Sequence, residues 1–176
     1  MVLYNFIELA KNNKINPCSI TLKIPKKMNS LFDSQTCQEI IQRIENLTVD
    51  SPRQWGKMDV AQMMAHCAFS METAIGERNP PRTFLGKLVG RLMQGELTND
   101  KPMGKNLPTH PQYVMVDSKD FEKEKSRLIS SIKRFSENGE SKVTKNPHPF
   151  FGNITPLQWS SGNYKHLNHH LRQFGG

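Results

Sequence analysis

Cysteine is scarce in this 176-residue chain. The three present, Cys18, Cys37 and Cys67, are an odd number at wide spacing with no C-x-x-C pair, which excludes a disulfide framework and a cysteine-based zinc or redox motif. A reducing, cytoplasmic setting is expected. Long apolar runs are missing as well: none approaches the roughly 18 residues that a membrane span needs. The opening "MVLYNFIELAKNNKINP" lacks the basic start, apolar stretch and small-residue cleavage site of a secretion signal. These absences predict a soluble, unsecreted protein with no membrane partner. Also absent are an aromatic strand of the "RGFGF" kind and a helix-turn-helix pattern, so the net charge of +8 lacks the companions of a nucleic-acid surface. Its distribution argues the same way. Residues 1–27 hold five lysines and one acid, for +4, which leaves 19 bases and 15 acids, also +4, with signs interspersed over 28–176. Nucleic acid is not expected as the main partner.

What is present reads as one domain, since the length supports a single hydrophobic core. Residues 1–27 lack sustained periodicity and read as an N-terminal extension to a domain over 28–176. Met28 is one candidate start, and an arm packing on the body is the other reading. Apolar residues then recur at helical spacing. From Ser34, a good N-cap, Cys37, Ile40, Ile41, Ile44 and Leu47 mark a first helix. Asp59 caps a second that carries Val60, Met63, Met64, Cys67 and Met71 and ends at "GERNPP". "RTFLGKLVGRLMQG" predicts a shorter helix weakened by two glycines, and a long Pro-containing connection follows it. Ser118 opens a helix with Leu128, Ile129, Ile132 and Phe135, closed at Gly139. Thr155, Pro156 and Gln158 form a capping box with Pro at the first helical position of the last helix. Four principal helices and hardly any alternating pattern predict an all-α bundle with a long loop between the central helices.

Chemistry concentrates at the end of the chain, where "YKHLNHHLRQFG" holds three of the six histidines. On a wheel of 100° per residue with Leu157 at zero, Tyr164, Leu167, Leu171 and Phe174 form an apolar arc centred at about 300°. His166 and His170 lie at about 180 and 220°, one turn apart at the edge of that arc. His169, at about 120°, faces away and is expected to meet solvent or to buttress the pair. Imidazoles at i and i+4 can reach one ion, but "HLNHH" has no Glu in the base position of an H-E-x-x-H protease. A third nitrogen would come from another helix, and His66 is the remaining histidine on a well-defined one. Helix-edge histidines are also common as hydrogen-bonded structural residues, and histidines suit a helix C-terminus electrostatically. Spacing leaves both readings open.

The order of a histidine in the second helix ("QMMAHCAFS") and the pair in the last resembles the DinB/YfiT-like superfamily of metal-dependent four-helix bundles. The closer similarity is to an uncharacterised branch, a domain of unknown function. It rests on the tryptophan before helix two, the "NLPTHP" loop, the "HPFFGNIT" turn and the terminal "YKHLNHHLRQFG", together covering roughly residues 30–176. The resemblance implies that His66, His166 and His170 ligate a divalent metal ion, zinc or nickel, with water completing the shell. It implies a small-molecule substrate, with thiol-dependent transfer using a low-molecular-weight thiol such as bacillithiol or mycothiol as a candidate chemistry, and a homodimer as the relatives' common assembly.

Other residues carry less. No acid neighbours a ligand, and Glu72 sits about 120° from His66 around its helix, so no general base is assigned. Asn168 and Gln173 could hold imidazole tautomers, although exposure is the plainer reading. Cys67 reads as core. His110 and His148 sit in Pro-flanked loops, where turn roles weigh more than a place at a pocket mouth or as a fourth ligand. Trp55 and Trp159 read as core or pocket wall. Two functions remain: a metal-dependent enzyme, transferase or hydrolase-like, or a non-enzymatic metal-binding or interaction module with a basic arm for an acidic partner.

Overall fold

The computed structural model describes residues 29–176, so the extension expected over 1–27, with Cys18, lies outside the described residues. The described residues are all-helical: α1 (Ser34–Glu45), α2 (Val60–Ala74), α3 (Phe84–Val89), α4 (Phe121–Asn138) and α5 (Pro156–Gln173), with 3-10 turns at Gln94–Leu97, Pro111–Tyr113 and Glu140–Lys142. Among the described residues no strand forms, and the one isolated β-bridge pairs His148 with Gly152. No helix among them is long and apolar enough to cross a membrane.

Each helix starts where a side chain satisfies an orphan backbone N–H. Asp59 caps α2 as expected and forms a capping box with Gln62, and Thr155 forms the expected capping box with Gln158. Two starts differ from the sequence expectation. Asp33 rather than Ser34 caps α1, accepting from the Thr36 amide at 3.0 Å, and Asp120 rather than Ser118 caps α4 through the Lys123 amide at 2.8 Å. A carboxylate accepts more strongly than a hydroxyl and also meets the positive end of the helix dipole.

The four longer helices share one core. α2 packs most extensively on α4 and also on α5, while α1 packs on α4 and α5. Only Gln62 of α2 escapes burial, which identifies it as the central helix. Its buried polar groups are all bonded: Ser70 donates to Asn163 Oδ1, Thr73 to the Phe69 carbonyl, and Glu72 accepts from Arg127 and Arg78. Burial alone would push the Glu72 carboxyl up, but those two guanidiniums hold it below its ordinary value. Glu72 is therefore an ion-pair anchor, not a base. Met63, Met64, Met71 and Cys67 are core, as expected, and burial pushes the Cys67 thiol up, so it is no nucleophile.

The glycines of α3 have a different role from the weakening expected of them. α3 lies so close to the Phe150 backbone that a Cβ at Gly86 would meet the Phe150 carbonyl oxygen at 2.6 Å, and one at Gly90 would collide with it. Gly90→Ala is therefore expected to destabilise by about 2 kcal/mol through overpacking, against a helix propensity that favours Ala by about 1 kcal/mol. Gly95→Ala, with open space around it, should be close to neutral. Urea denaturation of the two variants checks this.

Candidate metal centre

Two helices converge on one buried point. α2 carries His66, 4% exposed; α5 carries His170, 8% exposed, and His166, half-buried one turn earlier. One nitrogen from each ring lies within 4.8 Å of the others, and the ring centroids stand 4.7 to 4.9 Å apart. The pair read from the wheel and the histidine on the second helix thus come together across two packed helices.

The outer nitrogens decide where the inner lone pairs point. His66 Nδ1 donates to the Tyr113 carbonyl at 2.8 Å. His170 Nδ1 meets Gln173 Oε1 at 2.8 Å, and the Gln173 amide nitrogen donates to the Trp55 carbonyl at 2.6 Å. Because that amide is committed as donor, Oε1 is the acceptor and His170 Nδ1 bears the proton. Both Nε2 atoms then present lone pairs. His166 differs: its Nδ1 is buried with no partner, and its Nε2 lies 2.9 Å from His66 Nε2. In a neutral set that contact is a hydrogen bond, with His166 Nε2–H donating to His66. A cation in place of that proton would be met by both nitrogens.

Burial keeps the three rings neutral. It lowers His66 below the ordinary histidine value, against the Tyr113 carbonyl, which raises it. It lowers His166 far more, with His170 and His66 adding to the effect, and takes His170 down to about 3 with His66 as the next cause. Neutral imidazole is the metal-binding form. Metal–nitrogen bonds of about 2.0–2.1 Å would bridge the 2.9 Å contact at nearly a right angle. Two in line reach about 4.2 Å, so the widest pair must close by a fraction of an ångström. The donor set fits a divalent ion of the borderline kind that imidazole suits.

The remaining candidates separate. Gln173 is 3% exposed, not a surface residue, and Gly56 at φ +83° makes room for it, since a Cβ there would lie 2.5 Å from its amide nitrogen. Asn168 instead accepts from Arg43 at 2.9 Å. His110 is a turn residue: Nδ1 accepts from the Gln112 amide at 3.1 Å and Nε2 donates to the Pro81 carbonyl at 3.0 Å, which fixes the turn that ends in Tyr113. His148 caps its own turn through the Phe150 and Phe151 amides and packs on the buried Trp159. His169 is half-buried rather than solvent-facing, edge-on to Trp55 at 5.5 Å and to His170 at 5.1 Å. Tyr113 escaped the sequence reading because its contribution is a backbone carbonyl. Gln173 was legible, lying three residues past His170 on the same side of the wheel.

Fold and site together define an all-helical protein with a buried three-histidine cluster that could hold a metal ion. The chain belongs to the family described as "Protein of unknown function (DUF1569)", whose model matches residues 26–175. No curated protein and no solved structure matches it.

Folding with neutral histidines carries a pH signature. An unfolded histidine takes a proton near pH 6.5, whereas burial holds His148 and His170 down to about 3 in the fold. Between those values the unfolded state binds more protons, so stability is fully present above about pH 6.5 and falls as pH drops toward about 3. The slope reaches at most about 1.4 kcal/mol per pH unit for each such histidine. His148→Asn, which keeps an acceptor for the turn but cannot titrate, is expected to flatten the fall. Urea midpoints at pH 7, 6 and 5 measure it.

Proposed function

We propose that this protein is a metal-dependent enzyme with a DinB/YfiT-like four-helix-bundle architecture, in which His66, His166 and His170 hold a divalent ion, zinc or nickel. The observation that carries the reading is the outer bonding of the histidines. Two of the three have the far nitrogen tied to an oxygen acceptor, Tyr113 O and Gln173 Oε1, the arrangement that fixes tautomer and ring direction in metal-ligating histidine. Structural histidines need no shared focus, and these have one. The order of the ligand helices, second and last, supports the architecture, as does the long connection that delivers Tyr113.

Bound there, the ion would supply Lewis acidity and a lowered pKa to a coordinated water or thiol. The chain's own share is positioning. Tyr113 and Gln173 aim two ligands, Gly56 admits the Gln173 amide, and burial keeps the imidazoles unprotonated. With Glu72 locked between arginines and Cys67 held as a thiol, neither a protein base nor a cysteine nucleophile stands at the centre, which favours chemistry on a small molecule that brings its own ionisable group. A low-molecular-weight thiol is such a substrate, and a small-molecule partner is the expectation we retain.

A second reading, a non-catalytic metal-binding module, draws on one observation: a cavity of about 360 Å³ on α5 is not lined by the three histidines. A structural site is closed by protein, while a catalytic one keeps an open position.

Elemental analysis of protein purified without a histidine tag tests the metal. About one ion per chain is expected for a single three-histidine site, with none in the His66→Ala, His166→Ala, His170→Ala triple variant. Equal trace metal in both overturns the reading. Gln173→Leu, which frees the His170 ring, should weaken metal affinity by about 10–100-fold in a chelator competition. Turnover with small thiols then separates enzyme from module.

A further inference from the structure

The cavity on α5 has a chemistry of its own. The helix presents Ser161, Tyr164, Lys165, Asn168, His169 and Arg172 to it, positions between about 340 and 120° on the wheel, while His166 and His170 at about 180 and 220° turn inward. The rest of the wall is Asn29, Trp55 and residues from Leu97 to Lys105. Four cations, Lys101, Lys105, Lys165 and Arg172, face it against one carboxylate, Asp100. Lys165 is committed to the Glu96 and Asn99 carbonyls. Lys101, Lys105 and Arg172 have no ion-pair partner among the described residues. Lys105 is poised over the Trp55 ring, 4.3 Å from its centroid.

Unpaired cations and an aromatic wall ask for the same occupant, one that brings negative charge and a flat apolar body. A volume of about 360 Å³ is within the range of small-ligand sites.

We propose that this cavity is a binding site for a small aromatic anion, with Lys105 and Arg172 holding the charged group and Trp55 flanking the ring. The site is separate from the histidine centre and does not rest on metal being bound there. His169 forms the wall between them, in edge contact with Trp55 and with His170.

The test uses the full chain and the indole N–H signals of its two tryptophans in proton–nitrogen correlation spectra, with Trp55 assigned by Trp55→Phe. The probes are 2-naphthoate and its neutral isostere 2-naphthamide. The Trp55 signal is expected to shift saturably with naphthoate while that of the core residue Trp159 stays in place. Affinity should fall about ten-fold or more for the amide, and equally for naphthoate with the Lys105→Ala, Arg172→Ala variant, as loss of charge-assisted hydrogen bonds requires. Both substituted residues are exposed, so the thermal transition should be unchanged, and metal content should stay at the wild-type level. An unmoved Trp55 signal, equal response to acid and amide, or undiminished binding by the double variant would overturn the proposal. A loss of metal from the double variant would overturn the independence of the two sites.

Discussion

A neutral imidazole has one N–H and one lone pair, on opposite sides of the ring, so whatever takes the N–H decides where the lone pair points. The centre of this protein depends on that constraint. The Tyr113 carbonyl takes the His66 proton and Gln173 takes that of His170, and two lone pairs are thereby directed into the same space between α2 and α5. Much of the irregular chain serves these two acceptors. The connection before α4 carries Tyr113, whose position is set by the His110 turn anchored on Pro81 and by a hydroxyl contact to Thr73 at 3.1 Å. The segment before α2 supplies the Trp55 carbonyl that orients Gln173.

Three lone pairs cannot share a dry space at no cost, and the structure shows how the conflict is relieved. His66 and His166 share one proton at 2.9 Å, which leaves His166 Nδ1 buried and without a partner. Ser70, Glu72, Thr73 and Asn163 are each bonded, whereas His166 Nδ1, like Trp55 Nε1, Arg82 Nε and Ser161 Oγ, is not, and violations of this kind are expected at functional sites. Of the three rings His166 is the least tied, so it is also the one free to exchange its proton for an ion.

The elements that face a core were legible in the sequence because their signal is periodic. The stripe of Cys37, Ile40, Ile41 and Ile44 and the caps at Asp59 and Thr155 need no tertiary information, and the wheel on α5 set His166 and His170 on one side of the helix and His169 on another. The rest depended on partners that periodicity does not encode. The role of Gly90 lies in the Phe150 backbone some sixty residues away, and Tyr113 acts through a carbonyl that every residue has. Cap positions slipped to Asp33 and Asp120 because Ser and Asp compete for the same orphan amides, and the carboxylate wins where both are in reach. For His169 the wheel left solvent and buttressing both open, because a wheel shows the side of a helix but not what folds over it. Here the segment ending in Lys105 and the Trp55 turn do so.

α5 thus divides its circumference into three: an apolar arc with Leu167 and Leu171 for the core, the edge that holds His166 and His170, and the polar face toward the cavity. The division decides how far protein encloses each ligand. His66 and His170 are buried among α2, α5 and the Tyr113 turn, whereas His166 is the most exposed of the three. An ion held there would take its three nitrogens from two helices, with the Tyr113 carbonyl and Gln173 behind two of the ligands. The histidine without an outer acceptor is thus also the least enclosed of the three.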